Sequence, residues 1–310
     1  MNILLGKKRK LKNKRKLKNK RKLKNKNNKL KQNNINNNNI NNIIIMSTDF
    51  LATNNKHPRD SNIHFKDKGH IYTIKHPGCL EGDRGFTSVT TFVHQFIEPF
   101  NSDKIITAMM NSNKWPQSKY YGMTREEIKQ GWSNNGNSAA EAGTKLHYDI
   151  ECYYNNMQIN NSSLEYEHFI KFKEDFPDLI PYRTEWFIYN ERLRFAGSID
   201  MVFKNLDGTL DIYDWKRVKD ITKKSNFNNW MKGDIVGHYP NTNYWHYALQ
   251  LNIYKALLNE MYGVTVRDLY LVSLHPDNKT YIRIPVTDIQ HDIMLLFKER
   301  SEKILHKKLT

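Results

Sequence analysis

Two stretches, FAGSIDMVF (195–203) and TLDIYDWKR (209–217), decide the fold. Both have the alternation and the β-branched and aromatic content of strands, and Leu206-Asp207-Gly208 between them reads as a tight turn. Side chains alternate faces along a strand, so Asp214 and Lys216 project together while Trp215 projects the other way. Asp200 brings a second carboxylate from the paired strand. Two carboxylates and an ammonium on one rim serve a core poorly. They suit a divalent-metal site beside a group that handles a proton or a negative charge.

Working outward, the flanking pattern predicts an α/β class with a mixed sheet. A third strand is expected at about 182–190, joined to 193–203 by a turn at Asn190-Glu191. Before it stand helices at about 138–154 and 163–176. After the pair comes a long helix at 242–262, stopped by Gly263. Strands at 267–275 and 279–286, turning at Pro276-Asp277-Asn278, precede a last helix at 287–306. That helix has Thr287 in cap position and an apolar face of Ile289, Ile293, Leu296 and Phe297. Upstream, 62–75 reads as a hairpin, 88–100 as a helix capped by Ser88, and Ser102 as the cap of a helix to Met110. A short helix at 124–132 is followed by connection through the Asn- and Gly-rich stretch. Gly143 inside the 138–154 helix costs about 1 kcal/mol against Ala, which points to close packing or ligand approach.

The net charge of +17 is concentrated at one end: residues 1–45 carry 16 Lys or Arg and no acid. The other 33 basic residues face all 32 acids, so 46–310 is nearly neutral and its charge names no partner. The tail holds the repeat Lys-Arg-Lys-Leu-Lys-Asn at 8–13, 14–19 and 20–25, followed by an Asn/Ile tract. It has too little apolar surface to offset its ordering entropy and is expected to be disordered. It reads either as a phosphate-binding or nuclear-targeting patch or as low-complexity expansion, with Met46 as an alternative start. Residues 46–135 are expected to embellish or cap a core at 136–310. Apolar runs stop well short of the roughly 20 residues that cross a bilayer, and the opening segment lacks signal-peptide features. Two cysteines, Cys79 and Cys152, supply neither a disulfide framework nor a four-cysteine cluster. A soluble, intracellular protein is expected.

The elements bring His147 (in Gly143-Thr144-Lys145-Leu146-His147), Glu185, Asp200, Asp214 and Lys216 toward one place. Magnesium prefers hard oxygen ligands, and two carboxylates with the Trp215 backbone carbonyl would supply the protein's share. Lys216 would then orient the attacking water or stabilise developing negative charge. Past the triplet, Arg217, Lys219, Lys223, Lys224 and Lys232, interleaved with Phe227 and Trp230, form either a phosphate- and base-holding segment or a solvated connection.

Gly-Thr-x-x-His, Glu, Gly-x-x-Asp, Asp-x-Lys and Gln-x-x-x-Tyr in this order resembles the RecB-like branch of the PD-(D/E)XK nucleases, which includes the mitochondrial genome maintenance exonucleases. The matches are Gly143, Thr144, His147, Glu185, Gly197, Asp200, Asp214, Lys216, Gln250 and Tyr254, spanning about 140–255. The resemblance implies an αβββαβ core and phosphodiester cleavage with Mg²⁺ or Mn²⁺. It implies that Asp200 and Asp214 hold metal with a contribution from His147, that Lys216 assists the water, and that Gln250 and Tyr254 face the site and the DNA. The iron–sulfur members need four cysteines, so no iron–sulfur cluster is expected. No phosphate-binding loop of a helicase motor is present. The resemblance implies a DNase, of the exonuclease kind, acting in replication, repair or recombination; three alternatives stand against it: a non-catalytic DNA-binding module, a structural protein with an incidental acidic site, and an RNase on the same scaffold.

Overall fold

Every residue of 210–215 is buried, because helices cover both faces of the strand that carries them. The computed structural model describes residues 48–66, 68–77, 85–224 and 229–309. The basic tail 1–45, Cys79 and Phe227 lie outside the described residues. In chain order the elements are α1 (Phe50–Asn54), β1 (Ile63–Lys66), β2 (Ile71–Ile74), β3 (Thr87–Ser88), α2 (Val89–His94), α3 (Ser102–Met110), α4 (Arg125–Tyr154) and α5 (Leu164–Asp175). There follow β4 (Ile180–Asn190), β5 (Phe195–Lys204), β6 (Leu210–Lys216), α6 (Asn243–Met261), β7 (Val266–Ser273), β8 (Ile282–Pro285) and α7 (Gln290–Leu309). Thr48–Thr310 forms one compact unit, and the boundary expected at 135/136 falls inside α4.

The sheet is mixed and partly parallel. β4, β5 and β6 run antiparallel in sequence, β6 pairs with β7 in parallel, and β8 closes the edge antiparallel to β7. A parallel β6–β7 pair needs a long crossover, which α6 provides. Alternation along β6 sorts its side chains between two cores. Leu210 and Ile212 pack with α2, α6 and α7, whereas Tyr213 and Trp215 pack with Leu146 and Ile150 of α4 and Phe169 and Phe172 of α5. Trp215 therefore faces away from Asp214 and Lys216, as the alternation predicts.

The registers open a fork in the sheet. On one edge of β5, β3 pairs with Phe195 and Ala196 and β6 pairs from Met201 onward. Residues 197–200 have no strand partner on that edge, and there the strands β5 and β6 part. Asp200 sits at the split.

Several boundaries differ from expectation. The separate helices at 124–132 and 138–154 are one 30-residue helix, α4, opened by a capping box in which Thr124 and Glu127 exchange hydrogen bonds. The stretch expected to break it, Ser133-Asn134-Asn135-Gly136-Asn137, is helical and largely exposed. Packing of Ile128 at one end and of Leu146 and Ile150 at the other carries the helix across it. The last helix begins at Gln290 rather than at 287. The Thr287 hydroxyl is engaged by the Tyr244 hydroxyl at 2.7 Å, and Asp288 accepts the Gln290 N–H instead. Asn101, not Ser102, caps α3. Ser88 caps α2 as expected, but the helix ends at His94, ahead of Pro99. The Asn190-Glu191 turn extends through Arg194, whose φ is 52°, with Asn190 Oδ1 accepting from the Leu193 N–H.

The N-terminal segment is pinned to the sheet by buried polar contacts. Asp60 accepts from Arg183 at 2.7 Å and from the Trp186 indole at 3.0 Å. Asn155 at the end of α4 accepts from the Leu51 N–H and donates to Thr184 Oγ1. Among the described residues, no helix is long and apolar enough to cross a membrane.

Candidate metal centre

His147 of α4, Glu185 of β4 and Asp200 of β5 converge at the fork. Each offers a ligand atom, and these atoms lie within 4.8 Å of one another. Such a half-buried His/Glu/Asp triad can coordinate a divalent cation. The β4–β5 register pairs Thr184 with Met201 and Trp186 with Ile199, which sets Glu185 opposite Asp200. Glu185 interrupts the ladder with a φ of 41°, a left-handed conformation that a non-glycine strand residue rarely adopts. Ser198, two residues before Asp200 and on its face, donates to Glu185 Oε2 at 2.6 Å. Asp200 Oδ2 accepts the Trp215 N–H at 3.1 Å and lies 3.3 Å from His147 Nδ1.

Asp214 and Lys216 adjoin this triad. Their charged atoms are 2.6 Å apart, yet the contact lacks hydrogen-bond geometry, and Asp214 Oδ2 is buried with no hydrogen-bond partner. The Lys216 ammonium is the countercharge of this buried carboxylate. Lys216 Nζ also sits 4.7 Å from the centre of the Tyr247 ring.

The crowding of acids sets the protonation states. Burial and the neighbouring Asp200 push the Glu185 carboxyl up to about 8, against the pull of the Ser198 hydroxyl. Burial raises Asp214 to about 6 despite Lys216, and raises Asp200 against the opposing Lys216 charge. For His147, burial and the Lys216 ammonium lower the imidazole to about 4, leaving it neutral and free to ligate. Burial alone would lower Lys216, but Asp214 and Asp200 outweigh it and hold the ammonium well above its ordinary value. Three acids around one neutral imidazole and one lysine form a site short of positive charge.

The centre opens into a cleft of about 870 Å³. Gly143, Thr144, His147 and Glu151 of α4 line it, with Gln250 and Tyr254 of α6. An added Cβ on Gly143 would meet Arg217 Cβ only at 4.0 Å, so packing there is loose. Gly197 is different: a Cβ would stand 2.7 Å from Tyr254 Cε1, so the glycine is what lets that ring lie against the strand. The Gln250 amide donates to the Tyr254 hydroxyl at 3.3 Å, so the two residues act from one helical face.

The basic segment after Lys216 is largely engaged. Arg217 pairs with Glu165 at 2.6 Å and Lys219 with Asp277 at 3.2 Å. Lys223 donates to Thr287 Oγ1 and lies over the Tyr244 ring, while Lys232 pairs with Glu98. Lys224 is exposed, as is Trp230. Sequence reasoning missed Ser198 and the Tyr247 contact with Lys216, and it read 46–135 as a cap without naming the residues of it that line the cleft. Ser198 was detectable, since it shares Asp200's parity. The others required knowing which loops close over the fork.

No family model matches the chain. No curated protein matches it either. Among the solved structures it resembles is one described as "Crystal structure of SSO0001", 12% identical over 72% of this chain and 77% of that chain, with a TM-score of 0.31. A likeness that low carries no argument.

Proposed function

We propose that the protein is a metal-dependent nuclease of the PD-(D/E)XK, RecB-like type that hydrolyses DNA phosphodiester bonds. The observation that carries this reading is the placement of the buried Asp214–Lys216 ion pair beside the His147/Glu185/Asp200 triad, at the point where β5 and β6 part. The element order α4–α5, β4–β5–β6, α6, β7 agrees with an αβββαβ core.

The donors fit a divalent cation. His147, Glu185 and Asp200 would hold it, with the buried Asp214 oxygen adjacent. Two carboxylates suit Mg²⁺, and the imidazole makes the mixed set more congenial to Mn²⁺. Such a cation would neutralise charge on a phosphate oxygen and acidify a bound water. Lys216 remains protonated at any physiological pH, held so by Asp214 and Asp200. It is therefore suited to donating to developing negative charge rather than to accepting a proton. The Tyr247 ring and the Asp214 carboxylate fix where its ammonium points. Gln250 and Tyr254 line the same cleft; Tyr254 is almost wholly buried with its hydroxyl held by the Gln250 amide, so the half-buried Gln250 is the one placed to meet a strand.

The test is cleavage of end-labelled single- and double-stranded DNA with Mg²⁺, Mn²⁺ or EDTA, comparing wild type with Lys216→Ala. Metal-dependent products, reduced about a hundredfold or more in the variant, are expected for loss of one preorganised charge donor. Equal cleavage by both proteins would remove Lys216 from the chemistry. Absence of products with every metal would leave a binding module.

A further inference from the structure

One wall of the cleft is aromatic and contributes nothing to a cation. Phe65, His70 and Tyr72 of the β1–β2 hairpin, with Phe187 of β4, line the same space as His147, Glu185 and Asp200. Their rings brace one another at centroid distances of 4.9–6.3 Å.

Ordinary packing accounts for part of this cluster. Tyr72 is buried in the small core under the hairpin, with Phe65 and Phe187 packed against it. It does not account for His70. That residue is exposed and has a φ of 50°, directly after Gly69 at 93°, in a four-residue connection where glycine or asparagine would be the relaxed choice. Its ring stands nearly perpendicular to Phe65 and Tyr72, at 80° and 90°. Lys66 and Lys68, four and two residues before it, are both exposed. A ring held out from strained backbone, braced by two others, close after two exposed lysines and lining the cleft of the metal donors, has the composition of a base-stacking platform.

We infer that the His70 ring, braced edge-on by Phe65 and Tyr72, is a stacking site for an unpaired nucleobase of the strand whose phosphate is presented to the triad. The ligand class is a nucleotide in an unpaired strand. Lys66 and Lys68 contact its backbone, and the hairpin thereby contributes to substrate choice. This rests on the nuclease reading for the identity of the strand, but it makes a separate claim about the base.

The experiment uses the full chain with a single-stranded oligonucleotide carrying 2-aminopurine, whose fluorescence is quenched when it stacks. Binding is read in EDTA and cleavage in Mn²⁺, for wild type, His70→Ala, His70→Tyr and Phe65→Leu. Wild type should quench the probe. His70→Ala should lose the quench and raise KM at least about fivefold, the low end of what one base–aromatic stack supplies, with kcat little changed. His70→Tyr, which keeps a ring, should restore both. Phe65→Leu tests the brace, and because His70 is exposed the conclusion survives if Phe65→Leu fails to fold. Quench and KM unchanged in His70→Ala would overturn the inference. Cleavage without any quench would also overturn it while leaving the nuclease reading intact. Quench without cleavage would uphold the base site and sink the nuclease reading.

Discussion

Glu185 shows how a single residue couples backbone strain and charge at a candidate metal centre. The β4–β5 register sets it opposite Asp200 on a left-handed backbone, and burial with that like-charge neighbour lifts its pKa to about 8. The sign of the pH dependence follows. The folded carboxyl binds its proton more tightly than the unfolded one, so this contribution to stability is present below about 4.5 and is lost as pH rises toward about 8. Asp214 acts the same way between about 4 and about 6. His147, depressed to about 4, works oppositely and costs stability as pH falls below about 6.5. A cation must displace the carboxyl protons, so its stabilising effect grows with pH. The Tm increase from a fixed Mn²⁺ concentration should therefore be larger at about pH 8 than at about pH 6. Equal increments, measured by thermal unfolding in matched buffers, would place the cation elsewhere.

At the scale of elements, α4 is the informative case. It carries three glycines, Gly131, Gly136 and Gly143, in its interior, each worth about 1 kcal/mol less than alanine. It persists because its two ends are packed, with Ile128 buried near one and Leu146 and Ile150 near the other. A Cβ added at Gly136 meets nothing within 4 Å. Gly136→Ala should therefore stabilise the protein by about 0.5–1 kcal/mol, seen as a higher denaturant midpoint with unchanged slope. A lower midpoint would mean that the helix is not continuous through this stretch. The segment was hard to read beforehand because Asn and Gly are break signals locally. Only contacts at Ile128, Leu146 and Ile150, far apart in sequence, override them.

For the molecule as a whole, residues 48–90 belong with the core they cover. Asp60 holds Arg183, whose side chain is only 6% exposed, together with the Trp186 indole, and so ties α1 and the hairpin to β4. Removing the acid leaves a buried guanidinium without its countercharge. Asp60→Ala should cost about 3–5 kcal/mol, measured by chemical unfolding. A change below about 1 kcal/mol would show that the clamp does not hold the wall of the cleft.

Legible from the chain before folding were the α/β class, the three consecutive strands, the shared face of Asp214 and Lys216, and the candidates His147, Glu185 and Asp200. These follow from local rules: alternation in strands, periodicity in helices, and the chemistry of clustered acids. Tertiary structure alone decided that Asp214 stands beside the triad rather than within the closest set of donors, and that Arg217 and Lys219 are bound to Glu165 and Asp277. It alone decided that an aromatic hairpin faces the site. Those outcomes depend on which edge of β5 is left unpaired and which distant segment lies against it, and no local pattern encodes an approach between residues more than a hundred positions apart.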